Sequence, residues 1–143
     1  MAASDPPLYL LDTNILVHYV RRDALGQQIE EAYSLLNTPT QPLVSIVTEG
    51  ELRSLARQWQ WGAAKVRQLN FYLSLFRRVP LDYPGLIDAY AVIDAHSESV
   101  GRSMGKNDAW IAATAYVTGA TLLTTDQDFD HLHPTLLDRH LIA

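Results

Sequence analysis

Cysteine is absent from the 143 residues. No disulfide framework, thiol nucleophile or Cys-ligated zinc can be built, and the redox compartment is left open. Also missing is any apolar run approaching membrane-spanning length. The opening MAASDPP is short and polar and is followed by only a brief apolar run, without the basic region and long hydrophobic segment of a signal peptide. The expectation is a cytoplasmic protein with no membrane association. Positive charge is scarce: 11 Lys and Arg stand against 16 Asp and Glu, a formal net charge of −5. That is the reverse of the basic footprint of a passive nucleic-acid-binding module. It leaves nuclease chemistry open, because carboxylates gathered around divalent cations attract phosphate once the metal is bound. What is abundant is apolar side chain, 48% of the total, enough for one core without a covalent or metal staple. One domain over 1–143 is expected, with 1–7 as a flexible N-terminal extension.

Strand-like and helix-like stretches alternate along the chain. Leu8 to Leu11 reads as a short buried strand, and TNILVHYVRR then carries Ile15, Leu16 and Tyr19 at helical spacing. A second helix runs through ALGQQIEEAYSLLN and ends before the breaker region of Pro39 and Pro42. PLVSIV is the next strand, followed by the helix-forming TEGELRSLARQWQW up to Gly62 and another helix from Ala63 to Phe76. RVPLD is a short strand, and PGLIDAYAVIDAHSESVG is an amphipathic helix opened by Asp82 and Pro84. NDAWIAATAYVTG is a helix starting at Asn107 or Asp108 and stopping at Gly119. ATLLTTD is a strand ending in an acid, and TLLDRHLIA adds an edge strand. This order predicts an α/β domain with a mainly parallel sheet and right-handed crossovers.

Ligands in such sheets gather beyond the carboxyl ends of the strands. Asp12, Glu51 and Asp126 lie at or just after predicted strand ends and Asp108 at a helix start, so one rim can hold all four. Each has a structural explanation taken alone. Asp is favoured at helix starts, Thr48-Glu49-Gly50-Glu51 fits a capping box, and Asp126 can initiate a turn before QDFDHL. Together they are harder to dismiss, because ionised carboxylates about 6 Å apart repel by roughly 2 to 3 kcal/mol per pair at an effective dielectric of about 20. Either some are protonated or a divalent cation compensates them, and hard oxygen ligands suit Mg2+ or Mn2+ better than zinc. Thr13, Asn14, Thr124 and Thr125 are short polar neighbours able to orient carboxylates or simply to cap turns.

The segments LLDTNILV, SIVTEGEL, GKNDAWIAATA and LLTTDQDF, in this order, resemble the motif set of the PIN domain, most closely that of VapC-type toxins from toxin-antitoxin pairs. The resemblance runs from about Leu8 to the C-terminus and includes RVPLD, AYAVIDA and the closing DFDHL. It implies a PIN-like three-layer α/β/α fold and an Mg2+- or Mn2+-dependent endoribonuclease. The positions matching the family's catalytic and metal-binding acids are Asp12, Glu51, Asp108 and Asp126, with Asp128 matching an additional acidic position. Thr124 matches the hydroxyl residue before the last acid and Asn14 the polar residue of the first motif. The same resemblance implies an RNA substrate, cleavage leaving a 5′-phosphate and a 3′-hydroxyl, a small antitoxin partner and a homodimer. Gly50 departs from the pattern, where a bulkier residue is more usual, which bears on helix rigidity rather than chemistry.

Other features carry less. Arg53 and Arg57, one helical turn apart, and Lys106 are candidate RNA-phosphate contacts, with Arg21 and Arg22 near the same rim; a solvated face pairing with acids explains them equally. His131 and His133 have no third ligand to make a metal site. Trp59, Trp61, Phe71, Tyr72 and Phe76 read as core or partner surface rather than a base-stacking platform, the neighbours of the cluster being taken as aliphatic rather than basic. Two other functions compete: a non-catalytic PIN-like RNA- or protein-interaction module, and an aspartate-based phosphoryl-transfer enzyme with Asp12 as nucleophile. For the latter, the usual second Asp two residues on is replaced by Asn14.

Overall fold

The computed structural model describes residues 6–143, so the expected extension 1–7 lies, apart from Pro6 and Pro7, outside the described residues. Five strands, β1 (Tyr9–Leu11), β2 (Leu43–Ser45), β3 (Arg77–Val79), β4 (Thr121–Thr124) and β5 (Asp138–Leu141), form one sheet in the order β3-β2-β1-β4-β5. Every pairing is parallel, with Leu10 opposite Leu43 on one side of β1 and Leu122 on the other. Successive side chains leave a strand on opposite faces. Leu10, Leu43 and Leu122 therefore enter one core, and Leu11, Val44 and Leu123 the other.

The second core is closed by α1 (Thr13–Arg21), α2 (Ala24–Tyr33), α3 (Ile46–Gln58) and α4 (Ala63–Leu75), through Ile15, Leu16, Ile29, Leu52, Leu69 and Tyr72. The first is closed by α5 (Leu86–Ser99), α6 (Lys106–Thr118) and a 3-10 segment (Gln127–Leu132) anchored by the fully buried Phe129. The outcome is the expected three-layer α/β/α arrangement. α6 is buried along Ala109, Ile111, Ala112, Ala113 and Ala115, and its four buried alanines let it seat close to its neighbours.

Several boundaries differ from the sequence expectation for local reasons. β2 stops at Ser45, and Ile46 and Val47 begin α3, because the Ser45 side chain accepts the Val47 N–H at 3.1 Å and caps the helix. Thr48 to Glu51 is therefore helix interior, and the capping box expected there is not formed. The helix expected from Ala24 to Asn37 breaks at Ser34, which takes φ 52°, and resumes as a short 3-10 turn, Leu35–Asn37. α5 begins at Leu86 rather than at Asp82 or Pro84, after Gly85 at φ 82°. α6 begins at Lys106 behind a Gly105 cap, which leaves Asp108 in the first turn instead of at the cap.

The strand order places the site. From β1 the chain builds outward through β2 to β3, then returns to the far side of β1 for β4 and β5. The carboxyl ends of β1 and β4 thus flank the topological switch point, where open parallel sheets bind ligands.

Candidate metal centre

Asp12 follows the last residue of β1 and extends its ladder, its N–H reaching the Leu123 carbonyl at 3.0 Å. It also caps α1, Oδ1 accepting the Thr13 N–H at 2.8 Å, while Oδ2 accepts the Thr124 hydroxyl at 2.7 Å. Thr124, the last residue of β4, accepts the Asp126 N–H at 3.0 Å. One hydroxyl thereby ties the first acid to the backbone that carries the last. Asp126 caps the 3-10 segment by accepting the Asp128 N–H at 2.9 Å. Glu51, from the second turn of α3, accepts the Thr13 hydroxyl at 2.6 Å.

The structural explanations of the acids can now be separated. Asp12 and Asp126 are genuine caps, each through one oxygen. Glu51 and Asp108 cap nothing. Capping accounts for part of the arrangement and leaves the convergence unexplained.

Burial and crowding act on the carboxyls in the same direction. Asp12, only 3% exposed, is pushed up to about 6, chiefly by burial, against the lowering effect of the Thr124 and Thr13 bonds and with help from Glu51 and Asp126. Asp108 is pushed up to about 7 by burial and then by Asp12, Asp126, Glu51 and Asp128. Asp12, Glu51, Asp108 and Asp126 line one cleft of about 480 Å³ together with Thr13, Asn14 and Thr125. Asp108, Asp126 and Asp128 each offer an oxygen within 4.8 Å of the others. Crowded oxygen donors, two of them held toward the protonated form first by burial and then by their acidic neighbours, are what a hard divalent cation fits. The Asn14 amide donates to the Thr125 hydroxyl at 2.8 Å rather than to a carboxylate, and ties α1 to the loop after β4.

Other candidates lie elsewhere. Two positions after Glu51 is about 200° around an α-helix, and Arg53 and Arg57 accordingly line a different hollow with Gln60, Trp61 and Leu69. Arg53 is engaged by Glu49 at 3.1 Å and by Asn70. Lys106 is exposed at the start of α6, and Arg22 lines a hollow beside α2. His131 meets the Ser97 hydroxyl at 2.8 Å, and His133 accepts the Arg139 N–H at 3.0 Å, so neither belongs to the acidic cluster. Of the aromatic group, Tyr72 and Phe76 are core, whereas Phe71 and Trp59 are about half exposed. Arg21 lines the acidic cleft as anticipated; His18, Leu55 and Trp59 line it too, and were not anticipated. The signal for Leu55 and Trp59 is their spacing of four and eight residues from Glu51 along α3 and its C-terminal cap.

The sequence model of the PIN domain matches residues 9–133. Ribonuclease VapC4 of Mycobacterium tuberculosis is 36% identical over 87 residues, covering 60% of this chain and 67% of that protein. The structure of VapBC2 from Rickettsia felis, bound to a DNA fragment from its promoter, superposes with a TM-score of 0.80 at 21% identity, over 95% of this chain and 99% of that one. VapBC-1 from nontypeable Haemophilus influenzae gives 0.76 at 25% identity, over 94% and 97%.

Proposed function

The chain belongs to the PIN domain family, and from that premise we propose that it is an Mg2+- or Mn2+-dependent endoribonuclease, the VapC-type toxin of a toxin-antitoxin pair. Asp12, Glu51, Asp108 and Asp126 are its catalytic residues, and with Asp128 they hold the metal. The observation that supports this reading most is the meeting of carboxylates from four sequence-remote segments beside the β1–β4 switch point. The resemblance to Ribonuclease VapC4 supports the choice of RNA over other phosphodiesters.

A bound divalent cation would neutralise phosphate charge and make water a stronger nucleophile at neutral pH. The chain's own residues prepare the site for it. Thr124 and the Thr13 N–H fix both Asp12 oxygens, and the Thr13 hydroxyl orients Glu51, so the acids do not reorganise when charge develops nearby. In the hydrolysis a water oxygen bonds to phosphorus, the bond from phosphorus to the 3′ oxygen breaks, and that oxygen takes a proton, leaving a 3′-hydroxyl and a 5′-phosphate. The phosphoaspartate alternative fits poorly: Asp12 is buried and both its oxygens are already engaged. The interaction-module alternative leaves the packed acids without a purpose.

A small antitoxin and a second copy of this chain are the proposed protein partners, and the cytoplasm the proposed compartment; among the described residues no helix is long and apolar enough to cross a membrane. Purified protein incubated with total RNA is expected to cleave in Mg2+ or Mn2+, to stop in EDTA, and to lose activity in Asp12→Asn and Asp108→Asn. Full cleavage by both variants would defeat the assignment, and light scattering at a monomer mass would remove the dimer.

A further inference from the structure

The acids occupy one end of a longer groove. Along α1, Asn14, Val17 and Arg21 recur at helical spacing, and along α3 and its C-terminal cap so do Glu51, Leu55 and Trp59; all six line the same cleft. Two facing stripes thus run from carboxylates at one end, over apolar side chains, to a cation and an indole at the other. Arg21 lies over the Trp59 ring, its guanidinium carbon 4.9 Å from the centroid. Trp59 is 45% exposed, although burying its large apolar ring would be favourable. Among the described residues Arg21 forms no ion pair. At 1.5 Å of rise per residue, α1 sets this end about 13 Å from Asp12, within reach of a short single strand whose scissile phosphate sits at the acids.

We propose that Trp59 is a base-stacking platform for single-stranded RNA and that Arg21, held against the ring, contacts a phosphate of the same strand. The proposal rests on the ribonuclease reading and adds to it a subsite that holds substrate away from the bond being cut. A half-exposed indole bearing a cation that forms no ion pair among the described residues, in a groove continuous with a phosphate-directed site, fits the construction of single-strand tracks. Trp61 abuts Trp59 from the neighbouring hollow, its ring 6.0 Å away and tilted by 50°, beneath the Lys65 ammonium at 5.9 Å.

The test titrates fluorescein-labelled single-stranded RNA of random sequence in Ca2+, which supports binding in place of Mg2+, and follows cleavage of the same RNA in Mg2+. Trp59→Ala is expected to weaken binding about 10-fold or more and to raise KM with little change in kcat, while Trp59→Phe restores most of both. An abasic version of the RNA separates stacking from a merely structural effect: wild type should bind it as weakly as Trp59→Ala binds the intact strand, and Trp59→Ala should not distinguish the two. Equal binding by wild type and Trp59→Ala, with cleavage intact, overturns the platform and leaves the ribonuclease standing. No binding and no cleavage by wild type overturns the ribonuclease reading, and the platform with it.

Discussion

Replacing Asp12 by asparagine is expected to stabilise the metal-free protein at neutral pH, although Asp12 makes two buried hydrogen bonds. Its pKa rises from 3.8 to about 6 on folding, because burial outweighs the Thr124 and Thr13 bonds. A difference of that size is worth about 3 kcal/mol, a ceiling on what the ionised carboxyl costs the fold. The sign follows from proton binding. The folded protein keeps this proton up to about pH 6 while the unfolded chain releases it near pH 3.8. Wild-type stability is therefore full below about pH 4, declines as the pH rises to about 6 and levels off above. Asparagine does not titrate; its oxygen still accepts the Thr13 N–H, and its amide donates to the Thr124 hydroxyl. Asp108, pushed up to about 7, weakens both proteins in the same sense, but with Asp12 neutral it loses one charged neighbour.

Urea denaturation followed by tryptophan fluorescence in EDTA measures the difference. At about pH 7.5 Asp12→Asn should be the more stable by about 1 to 3 kcal/mol, and near pH 4 the two should coincide. Mg2+ should stabilise wild type near pH 7.5 and do little near pH 4, where Asp12 and Asp108 are protonated. A variant less stable than wild type at pH 7.5, or a gap independent of pH, would show that hydrogen bonding outweighs burial at Asp12 and refute the reasoning.

Thr124→Val removes the donor to Asp12 and the acceptor of the Asp126 N–H at a fully buried position. It should cost about 1 to 3 kcal/mol in thermal or urea unfolding. Because the Thr124 bond lowers the Asp12 pKa, its loss should also weaken Mg2+ binding near neutral pH, with recovery as the pH rises; calorimetric titration at two pH values checks this. Gly50→Ala lies on the exposed face of α3, where an added Cβ meets nothing within 4 Å. It should stabilise the protein by up to about 1 kcal/mol in the same unfolding assay with Mg2+ affinity unchanged.

The features legible in the sequence are those written locally. The three central strands β1, β2 and β4 announce themselves as short apolar runs, whereas the edge strands β3 and β5 carry charged residues. Asp12 follows β1 directly and Asp126 lies two residues past β4, so the α/β alternation and the acid rim both follow from linear order. The errors occur where a side chain overrides an apolar pattern. Ile46 and Val47 extend the β-branched run of β2, yet Ser45 turns the backbone into α3 by accepting the Val47 N–H. That single bond moves the helix start ahead of Thr48 and turns Glu51 from a cap residue into one that faces Thr13 across α1.

The basic and aromatic residues show why linear neighbourhood is a poor guide to a groove. Arg53 and Arg57 follow Glu51 closely in sequence, but helical phase carries them around α3 to another hollow. Arg21 is far from Trp59 in sequence, yet α1 and α3 bring the two into contact at 4.9 Å. Trp59 is flanked in sequence by Gln58 and Gln60 rather than by aliphatic residues, and its spatial neighbour is a guanidinium. The spacing of Glu51, Leu55 and Trp59 was visible, but it could be interpreted only once the helix facing it was known. An acidic chain can in this way set a cation, Arg21, against a half-exposed indole at the end of its acidic cleft.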